Sequence, residues 1–229
     1  MASSNTAAGS ADPFLAKIPS TPDELAENKR RMAAGELYFA FTPDLVADRR
    51  RCAQASHVFN QARRDAPRRE LVRLFKDVIR DETPLPPPAA TEEEDEALFG
   101  DAPWVELPLR ADYGFNIRLG NGVYVNANST WIDTSPITVG ARTLIGPNCS
   151  FYSGGHPLDG KVRNGIQGPE FGKPITIGED CWLGGNVTVV PGVTIGAGST
   201  VGGGSVVTKD VPPGVVVAGN PARIIRKLE

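Results

Sequence analysis

Only two histidines occur in the 229 residues, His57 and His156, and their surroundings differ. His57 lies in helical sequence among charged residues, where a structural or exposed role is expected. His156 stands in a glycine-rich stretch, Gly154-Gly155-His156-Pro157. A neutral imidazole has a pKa near ~6.5, so at neutral pH it can accept a proton from a weak oxygen nucleophile. General-base help of that kind contributes about 10²–10⁴ in rate. Two histidines are too few for a three-histidine zinc site, so metal chemistry of that type is not expected. The three cysteines, Cys52, Cys149 and Cys181, form no C-x-x-C pair and read as small core residues of a reduced protein.

The residues around His156 must be held by something regular. Ile177, Leu183, Val189, Ile195, Val201 and Val207 stand six apart. That period fits neither a helix face nor a simple strand face, and it marks a short-repeat solenoid. Each hexad reads as a short strand and a corner, and three hexads close a triangular coil of 18 residues. Ile177 then stacks on Ile195, Leu183 on Val201 and Val189 on Val207. The glycines that follow the anchors are expected where the chain turns with positive φ. The same rhythm appears earlier at Leu119, Val125 and Trp131, slips by two, and resumes at Val139, Ile145 and Phe151. Phe151 to Ile177 spans 26 residues, so about 20 leave the coil as an excursion over 152–174, and His156 sits in it.

The rest divides by pattern. Residues 1–20 read as a flexible lead. Residues 21–81 read as three helices, opened by the caps Thr21-Pro22 and Thr42-Pro43 and stopped first by Gly35. Their arginines read as a solvated surface, with a docking surface as the alternative. Pro84, Pro86, Pro87 and Pro88, followed by a run of acids, make 82–103 a mobile loop or linker. The solenoid covers 104–221 and a short tail 222–229. The net charge of −3 argues against a nucleic-acid partner. There is no signal-like start and no membrane-spanning apolar run, so a cytoplasmic protein is expected. The apolar flat faces of such a prism predict closed self-association, with threefold symmetry favoured.

Several segments together resemble the maltose and galactoside O-acetyltransferases, among the hexapeptide-repeat acyltransferases and beside the nodulation-type sugar acetyltransferases. They are Ala34-Gly35-Glu36-Leu37-Tyr38, Asp112-Tyr113-Gly114-Phe115-Asn116-Ile117, Gly155-His156-Pro157, Lys173-Pro174-Ile175-Thr176-Ile177-Gly178, Pro191-Gly192-Val193-Thr194-Ile195-Gly196, Val206-Val207-Thr208-Lys209-Asp210-Val211-Pro212 and Gly219-Asn220-Pro221-Ala222-Arg223. The resemblance covers about 25–80 and 104–228. It implies a mostly β fold, a left-handed parallel β-helix with an N-terminal α-helical segment. It also implies a homotrimer with acetyl-CoA, the acyl donor, in grooves between subunits, no metal, and a sugar acceptor.

The resemblance further assigns roles. His156 becomes the general base, and Asn126 the residue that binds acceptor and steadies the tetrahedral transition state. Tyr124, Asp112, Asp133 and Glu170 fall at acceptor-side positions, where carboxylates can accept sugar hydroxyl hydrogens. Gly185 and Gly203 match positions whose backbone meets the pantetheine arm, and Thr208 and Lys209 match the next contacts; Trp182 reads either as flanking the arm or as packing a coil face. Arg223 and Arg226 match cations near the nucleotide phosphates. Ala40 departs from the galactoside type, which has an acid there.

Overall fold

The six-residue rhythm becomes three parallel sheets, the sides of a solenoid of about six turns, in a computed structural model that describes residues 12–63 and 65–228. Ile177 pairs with Ile195, Leu183 with Val201 and Val189 with Val207, one coil apart. Each anchor is buried, so the apolar positions of successive coils stack into one axial core. The 18-residue coil holds only in that region. Ile117 pairs with Ile137, a coil of 20, because Asp133–Pro136 adds two residues at one corner. Thr200 pairs with Val216, a coil of 16. The wide early coils hold the bulkiest pair, Trp131 stacked on Phe151 with centroids 4.3 Å apart.

The glycines after the anchors need correction. Gly178, Gly184 and Gly196 are not among the residues with positive φ; that conformation falls two positions later, as at Asp180, Asn186 and Gly198. What demands glycine is the next coil. A Cβ on Gly178 would lie 2.5 Å from the Ala197 nitrogen, and one on Gly196 2.3 Å from the Pro213 nitrogen. The corners pack backbone on backbone, which only hydrogen side chains allow.

Three helices close one end: α1 (Pro22–Ala34), α2 (Pro43–Asn60) and α3 (Arg68–Ile79). A capping box joins Thr21 and Glu24 at the start of α1, and Gly35 ends it in the left-handed region at φ 73°. Phe59, Leu74, Phe75 and Val78 bury the inner faces of α2 and α3 against Val105 and Leu109 of the first coil. Part of the arginine content is spent inside this unit, as in Arg80 with Asp48 at 2.6 Å and Arg51 with Asp77.

Four expected boundaries change. Of the lead, residues 1–11 lie outside the described residues; Pro13–Ala16 is a 3-10 helix capped by Asp12, with Phe14 against Phe39. The segment 82–103 is no free loop: Glu92–Ala97 forms α4, capped by Thr91, and Phe99 is buried. Arg69 holds it by bonding the Asp95 carboxylate and the Pro86 carbonyl. The tail becomes the strand Arg223–Lys227, antiparallel to Val215–Ala218. The excursion begins after Tyr152, which still ends the strand Ser150–Tyr152. It leaves and returns through an antiparallel pair, Gly154-Gly155 with Phe171-Gly172. No helix among the described residues is long and apolar enough to cross a membrane.

Candidate active site

The Gly154-Gly155 strand ends at His156, so the excursion delivers the imidazole at the rim of a cleft. Its side chain is 54% exposed. The returning limb brings Glu170 beside it, with His156 Nδ1 4.0 Å from Glu170 Oε1. The Glu170 main chain exchanges hydrogen bonds with Tyr38, N–H to carbonyl at 2.9 and 2.8 Å, which ties the excursion to the residues after α1. The buried Tyr38 hydroxyl donates to Glu170 Oε2 at 3.5 Å.

The cleft holds about 230 Å³ and is walled by Tyr38, Ala40, Phe41, Arg49, Asp112, Tyr113, Thr134, His156 and Glu170. Arg49 from α2 donates to the Tyr113 hydroxyl, with its guanidinium carbon 5.4 Å from the Phe41 and Tyr113 ring centres. Burial raises the pKa of Asp112, against the pull of Arg110 and Arg49. Burial also raises Glu170, with His156 and Arg49 opposing. The Tyr113 hydroxyl is pushed up to about 12, again by burial. The cleft therefore combines one imidazole, two carboxyls whose pKa burial raises, one cation and an exposed ring, Phe41. That set can hold a small polyhydroxylated molecule and take one proton from it.

Of the sequence candidates, His156, Glu170 and Asp112 come together here. Asp133 is corrected: it is fully buried below the cleft rather than open to a substrate. Its Oδ1 accepts the N–H groups of Asp112 and Tyr113 at 3.1 and 2.8 Å, and its Oδ2 that of Asn116 at 3.3 Å. Burial outweighs those bonds and lifts its pKa to about 6. Asp133 thus shapes the Asp112–Asn116 segment. Tyr124 and Asn126 do not line this cleft within the chain. Tyr124 pairs with Trp104 and Leu144 on another side of the prism. Asn126 follows at the corner, its Oδ1 taken by the Ala127 N–H at 2.8 Å.

Trp182 is 57% exposed on that same side, beside Leu144 and Thr200. Gly185 and Gly203 stack at one corner, where a Cβ on Gly203 would meet the Gly185 carbonyl oxygen at 3.1 Å. Thr208, Lys209, Arg223 and Arg226 are exposed at the far end of the solenoid. Sequence reading missed Tyr38, Arg49 and Tyr113 as cleft residues. Arg49 sits in a run of three arginines, and nothing in the run marks which one turns inward. Among the described residues no group of three or more His, Cys, Asp or Glu could hold a metal.

Known proteins match both halves of this architecture. A model described as the maltose acetyltransferase hexapeptide capping motif fits residues 31–81, and one described as bacterial transferase hexapeptide (six repeats) fits residues 174–209. Nodulation protein L of Rhizobium meliloti (strain 1021) is 37% identical over 196 residues, covering 86% of this chain and 96% of that one. The fold is similar to that of a maltose O-acetyltransferase from Clostridium difficile 630, with TM-score 0.75 and 34% identity over 88% of this chain and 97% of the other. It is also similar to a hexapeptide-repeat acetyltransferase of Vibrio cholerae O1 biovar eltor complexed with acetyl coenzyme A. There the TM-score is 0.71 and the identity 33%, over 88% and 98% of the two chains. Matched along most of its length by these proteins, the chain belongs to the hexapeptide-repeat acetyltransferases, in the group that carries the maltose acetyltransferase capping segment.

Proposed function

We propose that the chain moves an acetyl group from acetyl-CoA directly to a hydroxyl of a small sugar, a maltose- or glucose-like acceptor. One observation carries the reading: His156 overhangs a small cleft in which Glu170, Asp112 and Arg49 converge. His156 takes the hydroxyl proton as the oxygen attacks the thioester carbonyl. The tetrahedral intermediate collapses with cleavage of the C–S bond, and the imidazolium returns a proton to the departing thiolate. No covalent enzyme intermediate is required. Glu170 and Asp112 accept hydrogens from other hydroxyls, Arg49 donates, and Phe41 flanks the apolar face of a sugar ring. Ala40 leaves the cleft without the acid of the galactoside type, which supports the maltose-like acceptor.

The donor takes the groove along the prism. Trp182 flanks its arm, the backbone at Gly185 and Gly203 lets it approach closely, Thr208 and Lys209 follow, and Arg223 and Arg226 meet its phosphates. Asn126 and Tyr124 complete the site across a protomer boundary, with the Asn126 amide donating to the developing oxyanion. That requires a homotrimer whose interface covers the exposed column Trp104, Leu144 and Trp182. Incubating the chain with acetyl-CoA and a panel of mono- and disaccharides, glycosides and amino sugars, with free CoA thiol as readout, tests this. Thiol release with a glucose-type acceptor is expected; none with any sugar contradicts the reading.

A further inference from the structure

A second cavity, of about 530 Å³, lies on the opposite side of the Asp112–Asn116 segment from the acceptor cleft. Its size falls within the range of small-molecule sites, roughly 300–1,000 Å³. Thr134 lines both spaces, while Asp112 and Tyr113 face the cleft and Phe115 and Asn116 the cavity. The wall between them is stiff. Asp133 holds it from beneath, and Gly114 at φ 79° seats against the end of α3, where a Cβ would lie 2.0 Å from the Val78 carbonyl oxygen.

The cavity has an apolar floor of Met32, Leu45 and Phe115 and a cationic rim. Lys29 bonds Asp48 at 3.1 Å and lies 3.5 Å from Asp44, and Arg80 bonds Asp48 at 2.6 Å. Those two carboxylates balance those two cations. Arg118 is left over, exposed at the rim and with no carboxylate partner among the described residues. Arg80 also lies with its guanidinium carbon 5.0 Å from the centre of the Phe115 ring, which places its terminal nitrogens at the same rim. A guanidinium fork suits a planar or tetrahedral oxyanion. The acetyl-transfer reading uses none of these residues.

We propose that this cavity is a binding site for a small oxyanion-bearing metabolite, a phosphate ester or a carboxylate. Its charged group is held by Arg118 and Arg80 and its apolar part rests on Met32, Leu45 and Phe115. Binding here is independent of the identity of the acetyl acceptor.

The test follows the melting temperature of the full chain titrated separately with inorganic phosphate and with succinate, at ionic strength matched with sodium chloride. A saturable rise with at least one anion is expected, and the larger response tells phosphate from carboxylate. Arg118→Gln weakens the apparent affinity by about tenfold or more. The double variant Arg223→Gln/Arg226→Gln, altered at the end assigned to the nucleotide, keeps the wild-type response. No saturable rise with either anion, or a rise lost in the double variant and kept in Arg118→Gln, overturns the proposal. A crystal soaked in phosphate gives a reading that does not depend on variant folding. Density within hydrogen-bond distance of Arg118 and Arg80 supports the site, and density only elsewhere overturns it.

Discussion

The Nδ1 of His156 lies 4.0 Å from Oε1 of Glu170, and the other oxygen of that carboxylate accepts from the Tyr38 hydroxyl at 3.5 Å. One carboxylate therefore links the exposed imidazole to the buried end of the helical unit. Glu170→Gln keeps the shape and the main-chain pairing with Tyr38 but removes the charge. Bonds to charged groups are worth about 1.5–3 kcal/mol, so kcat/KM should fall about tenfold or more with the melting temperature nearly unchanged. Burial raises Glu170, so the wild type loses this charge at a higher pH than an ordinary carboxylate would on acidification. The acid loss of activity should begin correspondingly early in the wild type, and the part due to Glu170 should be missing in Glu170→Gln. A variant with full activity would remove Glu170 from the site.

Asp133 makes a prediction about stability. Its folded pKa is about 6, while an unfolded aspartate titrates near ~3.9. Between those values the folded chain binds more protons. The stability from this group is full below the unfolded pKa and is lost as pH rises through about 6. Asp133→Asn should abolish that slope. It should also lower overall stability by roughly 1–3 kcal/mol, because an amide N–H would face the Asn116 N–H. Denaturant unfolding of both proteins from pH 4 to 7 measures this; parallel pH curves would contradict it.

The two kinds of corner glycine should respond differently. Gly196→Ala drives a methyl to 2.3 Å from the Pro213 nitrogen, whereas Gly198 has φ 67° and nothing within 4 Å. Overpacking costs about 1–3 kcal/mol and occasionally more, and a 2.3 Å contact with rigid backbone belongs at the top of that range. A left-handed alanine costs roughly 1–2 kcal/mol. Gly196→Ala should melt well below Gly198→Ala, and the reverse order would refute the stacking account.

That contrast shows what the repeat alone could and could not reveal. The stacking of Ile177 on Ile195 is legible because a six-residue period has one economical solution, a three-sided coil. Why Gly196 must be glycine is not legible, since the contact is with Pro213 in the next coil. His156 stands out because the excursion interrupts the period. Arg49 does not, because its orientation depends on how α2 packs on Tyr113. The acids of 82–103 read as unstructured by composition, yet Thr91 caps a short helix and Arg69 pins it.

That pinning predicts a further result. Arg69→Ala removes the bonds to Asp95 and to the Pro86 and Pro87 carbonyls. Amide hydrogen exchange over residues 89–100 should speed up while the solenoid strands keep their protection. Unchanged exchange would show that the Arg69 bonds do not hold the segment.

The most direct measurement concerns the imidazole itself. His156→Ala should bind acetyl-CoA with the affinity of the wild type, read from its rise in melting temperature with donor concentration. With any sugar that the wild type acetylates, its turnover should fall by about two or more orders of magnitude. Donor affinity kept and turnover lost is the result predicted; turnover within a few-fold of the wild type would contradict the assignment of His156 as the base.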